Sequence, residues 1–394
     1  MKMFYRRQFG QALASLLMVA LLWSGVAPSS AQDTSGEAAS ASRPRRAADA
    51  SPQQQPPAQP RQTPRRNDDT TLQDDDDVER VETDVTNVLF TAIDKNKRFI
   101  TTLTQQDVRV TEDGVPQEIF TFQRETDRPL SLAILVDTSA SQERTLPEEK
   151  RAARVFVDAV IRPGKDEVAV VSFTGDATLE QGLTGNASRI RGAIDRIEFV
   201  PPSGYMGGGV MVPGTPPISG TNQARAGSTA IWDALWVTSK EILSDTSDKT
   251  RRAIILLSDG VDTSSRLKMT EAIDHAIKSD AVIYSIGIGD SFNFDGVEEA
   301  SLRKVSERTG GRAYFPRDES DLRAAFAQIQ QELRSQYLVA YSPTNKKKDG
   351  SYRQVKIEVV NPEMRKQNLR LTYRQGYFAK SSVTATTQDT PRQP

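Results

Sequence analysis

Three short stretches carry oxygen side chains at spacings that could hold a hard cation. The first is Asp137-Thr138-Ser139-Ala140-Ser141, which ends the apolar run beginning at Leu132. The second is Gly227-Ser228-Thr229, followed by Ala230-Ile231-Trp232-Asp233-Ala234-Leu235. The third is Leu256-Leu257-Ser258-Asp259-Gly260. Carboxylates and hydroxyls suit Mg2+, which takes oxygen ligands in octahedral array and keeps some of its waters; Mn2+ and Ca2+ accept the same donors. Each stretch also has a plainer reading. Aspartates after strands serve turns, and Ser228 or Thr229 can cap a helix. Convergence of all three on one point would favour the cation.

The elements around these stretches put them at strand tips. The run ending at Asp137 is too short for a buried helix and rich in β-branched residues, so it reads as a buried parallel strand. Val168–Phe173, Ala253–Ser258 and Ala281–Ile286 read the same way, Ala177–Gln181 as an edge strand, and Arg312–Phe315 as a short strand. Between them lie helical patterns. Leu146-Pro147-Glu148-Glu149 opens one, with proline in the first turn and acids complementing the helix dipole. Others follow near Ile190, Ile231, Thr270, Val297 and Ser320. Strand–helix alternation predicts an α/β fold, a doubly wound, mostly parallel sheet of Rossmann-like type covered on both faces. Ligands of such sheets bind at the carboxyl ends of strands, where Asp137 and Asp259 would stand.

The composition excludes several classes of function. The 394 residues carry 51 Lys and Arg against 52 Asp and Glu, which gives no overall nucleic-acid signature. With no cysteine there is no disulfide, thiolate metal site or cysteine catalysis. One histidine, His275, excludes a multi-histidine zinc site, and it reads as a helix-face residue.

The flanks differ from the centre. Lys2, Arg6 and Arg7 precede an apolar stretch from Ala12 to Leu22, with small residues up to Ala31: an export signal over residues 1–31. Arg6-Arg7-Gln8-Phe9 also has twin-arginine character. An uncleaved anchor is the minor reading, and no later stretch is apolar enough to span a bilayer, so the expected location is the periplasm or the extracellular space. Residues 32–77 form a proline- and glutamine-rich linker ending in the acidic run Asp74–Asp77. Residues 78–128 and 336–380 alternate like strands: Val88, Phe90 and Ala92; Val108 and Val110; Phe120 and Phe122; Tyr337, Val339 and Tyr341; Val355, Ile357 and Val359. Each half is small for independent stability, so the two are expected to pair into one antiparallel β module around the central domain of residues 130–335. Two separate β appendages are the alternative. The lysine-rich stretch Asn345–Gly350 reads as a hairpin turn, and residues 381–394 as a tail.

In order, spacing and strand context, the three stretches resemble the metal-ion-dependent adhesion site of von Willebrand factor type A domains, with a fit over roughly Leu130 to Arg334. The resemblance implies that Ser139, Ser141 and Thr229 bind a divalent cation through their hydroxyls. It implies that Asp137 and Asp259 contact the cation directly or through water. A partner protein's Asp or Glu would complete the octahedron. Thr104–Ile119, Leu333–Tyr337 and Gly376-Tyr377-Phe378 extend the likeness to a secreted bacterial subfamily described as VWFA-related, of acidobacterial type. In such domains the last helix can shift on ligand binding, and here it runs straight toward the strand at Tyr337.

The expected function is therefore cation-dependent protein binding of adhesion type, without nucleic acid and without enzymatic activity. An envelope assembly factor using the same site is the alternative. A metal-dependent hydrolase is less favoured, because no general base or nucleophile–base pair accompanies the motif. Gly287-x-Gly289 lacks the third glycine of a nucleotide fingerprint. Asp233 reads as a helix-surface or packing residue and Asp262 as a loop carboxylate. The Gly/Pro-rich insertion between Phe199 and Ala226 reads either as a partner-selecting loop or as a surface loop without function.

Overall fold

The computed structural model describes residues 84–125, 127–201, 228–247, 249–289 and 296–381. The export signal, the linker with its acidic run, most of the Gly/Pro-rich insertion and the tail lie outside them. The strands are β1 (Thr86–Ile93), β2 (Val108–Glu112), β3 (Val115–Gln117), β4 (Ile119–Glu125), β5 (Leu130–Asp137), β6 (Glu167–Phe173), β7 (Ala177–Thr184), β8 (Arg251–Ser258), β9 (Ala281–Gly287), β10 (Ala313–Tyr314), β11 (Gln336–Tyr341), β12 (Tyr352–Val359), β13 (Arg370–Tyr373) and β14 (Gly376–Phe378). The helices are α1 (Leu146–Val160), α2 (Ala187–Arg196), α3 (Ile231–Val237), α4 (Met269–Lys278), α5 (Glu299–Thr309), α6 (Glu319–Arg334) and the short α7 (Pro362–Arg365).

The central sheet has the order β10-β9-β8-β5-β6-β7, parallel except for the edge strand β7. Strands β5 and β8 are buried at every residue because helices cover both faces. Leu132, Ile134 and Val136 of β5 join α1, α2 and α6 in one apolar cluster, with Phe156 against Phe326 at 4.9 Å between ring centres. Ala133 and Leu135 point the other way, into a second cluster with α3, α4 and α5. The two-residue period of a strand thus feeds two cores at once. This is the expected doubly wound α/β sheet.

Helix α2 illustrates how an exposed cap anchors a buried face. Asn186 Oδ1 accepts hydrogen bonds from the backbone N–H groups of Ser188 (3.0 Å) and Arg189 (3.1 Å), while Ile190 and Ile194 are buried. Asn186→Ala is expected to lower stability by about 1 kcal/mol in urea unfolding.

The flanking segments interleave. One antiparallel sheet has the order β13-β1-β11-β4 and the other β14-β12-β2-β3, so each sheet contains strands from both ends of the described chain. Val88, Phe90, Val110, Tyr337, Val339 and Ile357 fill the space between, with Phe90 stacked on Tyr337 at 5.0 Å. A single residue, Ser335, separates α6 from β11. The described residues of module and central domain belong to one compact unit.

Two sequence expectations need correction here. Phe120 and Phe122 do not form a buried alternating pair. Tyr341 faces Ile119 while Ala340 faces Thr121, so β4 carries an extra residue at Phe120, which is turned out to 53% exposure. The bulge shifts the inward period onto Ile119. The stretch Asn345–Gly350 is no hairpin either. It links β11 in one sheet to β12 in the other, because each of those strands finds its ladder partners elsewhere.

Candidate metal centre

Asp137 is the last residue of β5, and Asp259 directly follows β8. The strands are parallel neighbours, with Val136 opposite Leu257, so the two carboxylates stand side by side at the carboxyl edge. The sheet winds outward in both directions from these strands, which makes this edge its switch point.

Asp137 is fully buried and tightly held. Its Oδ1 accepts the Ser139 backbone N–H at 2.9 Å, and its Oδ2 accepts the Ser258 hydroxyl at 2.7 Å. The Ser139 and Ser141 hydroxyls lie 3.2 Å apart. Asp259, 6% exposed, accepts the Val261 N–H at 2.9 Å, and Ser141 and Gln142 stand near enough to favour its charged form. The turn at Asp259 depends on Gly260, whose φ of +84° and nearness to Leu302 (2.7 Å from where a Cβ would stand) exclude larger residues.

Thr229 reaches the same edge through its backbone. The Ala230 N–H donates to the carbonyl of Thr174, just past β6, at 2.7 Å. Thr263 and Ser264 donate their N–H groups to the Thr229 carbonyl at 2.9 and 3.0 Å, and the Thr229 N–H donates to the Thr263 hydroxyl at 2.8 Å. Thr229 is thereby stitched between the tips of β6 and β8. Asp262 and Asp233 serve this clamp. Asp262 Oδ1 accepts the Ile231 N–H at 2.8 Å, and Asp233 accepts the N–H groups of Arg266 and Leu267. Hydrogen bonds therefore unite Asp137, Ser139 and Ser141, Asp259 stands beside them at the same edge, and Thr229 joins through the loop framework.

Burial, reinforced by the charge of Asp259, pushes the Asp137 carboxyl up to about 7 despite hydrogen bonds from Ser139 and Ser258. Burial likewise raises Asp259, against hydrogen bonds from Ser141, Val261 and Gln142. Neither carboxylate forms an ion pair with a described Lys, Arg or His. Two buried carboxylates without a cation are costly, and a divalent cation among them offsets that cost. The donors are all oxygen, which fits Mg2+, Mn2+ or Ca2+. Among the described residues no cluster of three or more His, Cys, Asp or Glu could hold a metal, so a cation here needs the hydroxyls as ligands.

Three partners of this site are not evident from sequence. Ser258 sits on the tip of β8 in plain view, yet only the sheet register shows it aimed at Asp137. Gln142, fully buried, donates from Nε2 to Ser141 Oγ and to the Ile288 carbonyl, both at 3.2 Å, and no spacing rule singles it out. Glu149 corrects the dipole reading of helix α1. It is 0% exposed and points inward rather than lying on the first turn's surface. Burial, then the charges of Asp137 and Asp259, push its carboxyl up to about 8 against the pull of Thr145. Both its oxygens lack a geometrically sound hydrogen bond, since the Thr145 hydroxyl donates to Gln142 instead. Gly287 serves packing: a Cβ there would stand 2.6 Å from the Phe315 ring.

Comparison with known proteins bears on the central domain. Two family profiles, both described as von Willebrand factor type A domain, match residues 132–212 and 217–329. No curated protein matches the chain. Among solved structures, a von Willebrand factor type A protein from Catenulispora acidiphila is 14% identical, with 77% of this chain and 75% of that one covered and a TM-score of 0.42. The conserved hypothetical protein BatB from Bacteroides thetaiotaomicron is 18% identical over 52% of this chain and 98% of its own, with a TM-score of 0.37. Proximal thread matrix protein 1 from the mussel byssus, with a zinc-occupied metal-ion-dependent adhesion site, is 20% identical over 56% and 50%, with a TM-score of 0.42. Taken with the sheet order and the edge occupied by Asp137 and Asp259, the two profile matches identify this chain as a von Willebrand factor type A domain protein.

Proposed function

We propose that this protein is an exported, non-enzymatic binding module that captures an acidic residue of a partner protein through a divalent cation. The cation would be held by Asp137, Ser139, Ser141, Thr229 and Asp259. One observation carries this reading: two buried carboxylates, with hydroxyls beside them and no cationic side chain among the described residues against them, at the switch point of the sheet. When bound, the cation supplies a positive centre that attracts a carboxylate from outside.

The chain's own residues do the rest. Ser258 and the Ser139 backbone fix both oxygens of Asp137, leaving little reorganisation on binding. Gln142 ties Ser141 to the Ile288 carbonyl at the end of β9. Neutral hydroxyls beside only two carboxylates leave a bound cation short of negative charge, so an acidic ligand gains more there than at a site with three or four carboxylates. Support for export comes from Lys2, Arg6, Arg7 and the apolar stretch after them. Among the described residues, no helix is long and apolar enough to cross a membrane.

The test is a pull-down from native envelope with wild type and the Asp137→Ala/Asp259→Ala double variant, each in Mg2+ and in EDTA. A partner retained only by wild type in Mg2+ is expected. Equal retention in all four arms would refute the proposal. Calorimetry on the same material should show uptake of Mg2+, Mn2+ or Ca2+ by the wild type alone.

A further inference from the structure

At the other end of the central sheet lies a cavity of about 660 Å3, between the central domain and the β module. Among the described residues its walls carry five lysines and five arginines against two aspartates, Asp84 and Asp280, and no glutamate. In a chain whose overall charge is near zero this is a strong local excess. We propose that this cavity is a binding site for a small polyanion, a molecule bearing several phosphate or carboxylate groups, independent of the candidate metal centre.

The arginines of the wall are built in rather than scattered over the surface. Arg251, at the start of β8, is 5% exposed. Its guanidinium donates to the carbonyls of Leu333 and Arg128 and to Gln336, all neutral acceptors, and its Nε has no partner. Burial lowers its pKa, with the charge of Arg162 adding to the effect. Arg353, 2% exposed, donates from Nη2 to the Lys347 carbonyl at 2.9 Å and approaches Asp349 at 3.4 Å. Its nearest buried carboxylate, Glu112, is 3.8 Å from Nη1, and both Nε and Nη1 lack hydrogen bonds. Arg374 pairs with Asp280 and donates to the Asn87 carbonyl, and its Nε is also unpartnered. Three guanidinium groups thus stand in the wall of one cavity. Their unpartnered nitrogens are closed to solvent, so they act on an anion in the cavity through their charge.

The lysines come from the linker that the sequence suggests as a hairpin. Because β11 and β12 lie in different sheets, Lys346, Lys347 and Lys348 border the cavity. Lys278 of α4 joins them from the central domain, its ammonium 4.8 Å from the centre of the Phe378 ring. A cleft of one charge sign with low-dielectric walls concentrates counter-ions, and the volume lies within the roughly 300–1,000 Å3 usual for small-molecule sites. Arg251 and Asp259 stand at opposite ends of β8. Its eight residues span roughly 25 Å, beyond the range over which exposed charges feel each other in physiological salt.

The test is titration calorimetry of the full chain with sodium tripolyphosphate and, separately, with citrate, in EDTA at constant ionic strength. Saturable 1:1 binding of at least one is expected, and the pair of probes distinguishes phosphate from carboxylate preference. Lys278→Glu/Lys347→Glu should weaken it at least tenfold; both side chains are exposed, so the fold should stand, and urea unfolding verifies that. Asp137→Ala should leave it unchanged, so failure of the metal reading does not affect the outcome. No saturable binding of either probe, or affinity unaltered by the double charge reversal, would overturn the proposal.

Discussion

In EDTA at pH 8, Asp137→Asn is expected to be more stable than the wild type, and Mg2+ is expected to remove much of that advantage. The wild-type carboxyl is fully buried beside Asp259, and its pKa is raised from 3.8 to about 7. A group whose folded pKa is raised contributes stability below its unfolded pKa and loses it as pH climbs through the folded one. Here the loss runs from about pH 4 to about pH 7 and is on the order of 4 kcal/mol when complete. Asparagine keeps an oxygen for the Ser139 N–H without the charge, and the Ser258 hydroxyl turns to accept from its amide NH2. With Mg2+ at a hundred times its Kd, the wild type regains about 2.7 kcal/mol that the variant does not. Urea unfolding of both proteins, with and without Mg2+, measures the difference. Equal Mg2+ shifts in the two proteins would rule out Asp137 as a ligand.

The same burial that makes Asp137 costly also made its neighbourhood legible. Strands β5 and β8 are continuous apolar runs because helices cover both faces, so a polar residue ending such a run has to sit at the sheet edge. That reasoning needs only local sequence. It places Asp137 and Asp259 on one edge and makes the α/β architecture readable from alternation alone. Thr229 is different. Its place depends on contacts with Thr174 and Thr263 that no local pattern encodes, and only likeness to a family suggested it.

Local period misleads where tertiary pairing overrides it. The bulge at Phe120 reverses which residue faces inward, and nothing in Ile119–Phe122 announces it. Asn345–Gly350 has the composition of a turn, yet the strands on either side belong to different sheets. The consequence reaches function, since a turn would point its lysines into solvent and a sheet-to-sheet linker brings them to a cavity. The dipole reading of Glu149 fails for a related reason: an acid in the first turn of a helix is usually solvated, and here the amino end of α1 faces the buried carboxylates. Gln142, in the turn before α1, carries no spacing signal.

Glu149 gives the second large effect. Its carboxyl is raised from 4.5 to about 8, chiefly by burial and further by Asp137 and Asp259. By the same linkage, the folded protein holds a proton that the unfolded chain releases above about pH 4.5. Stability from this group is therefore full below that pH and falls until about pH 8, by an amount on the order of 5 kcal/mol. Asp137 loses stability over an overlapping range, so the comparison is made in the Asp137→Asn background in EDTA. There Glu149→Gln is expected to flatten the decline between pH 5 and 8, with the two proteins closest at pH 5 and the glutamine variant more stable at pH 8. A cation beside Asp259 counters the negative charge that helps raise Glu149, so adding Mg2+ to the Glu149→Gln protein with Asp137 intact should give a smaller stabilisation than in wild type. Parallel pH profiles for the two proteins would place Glu149 in water rather than against the site.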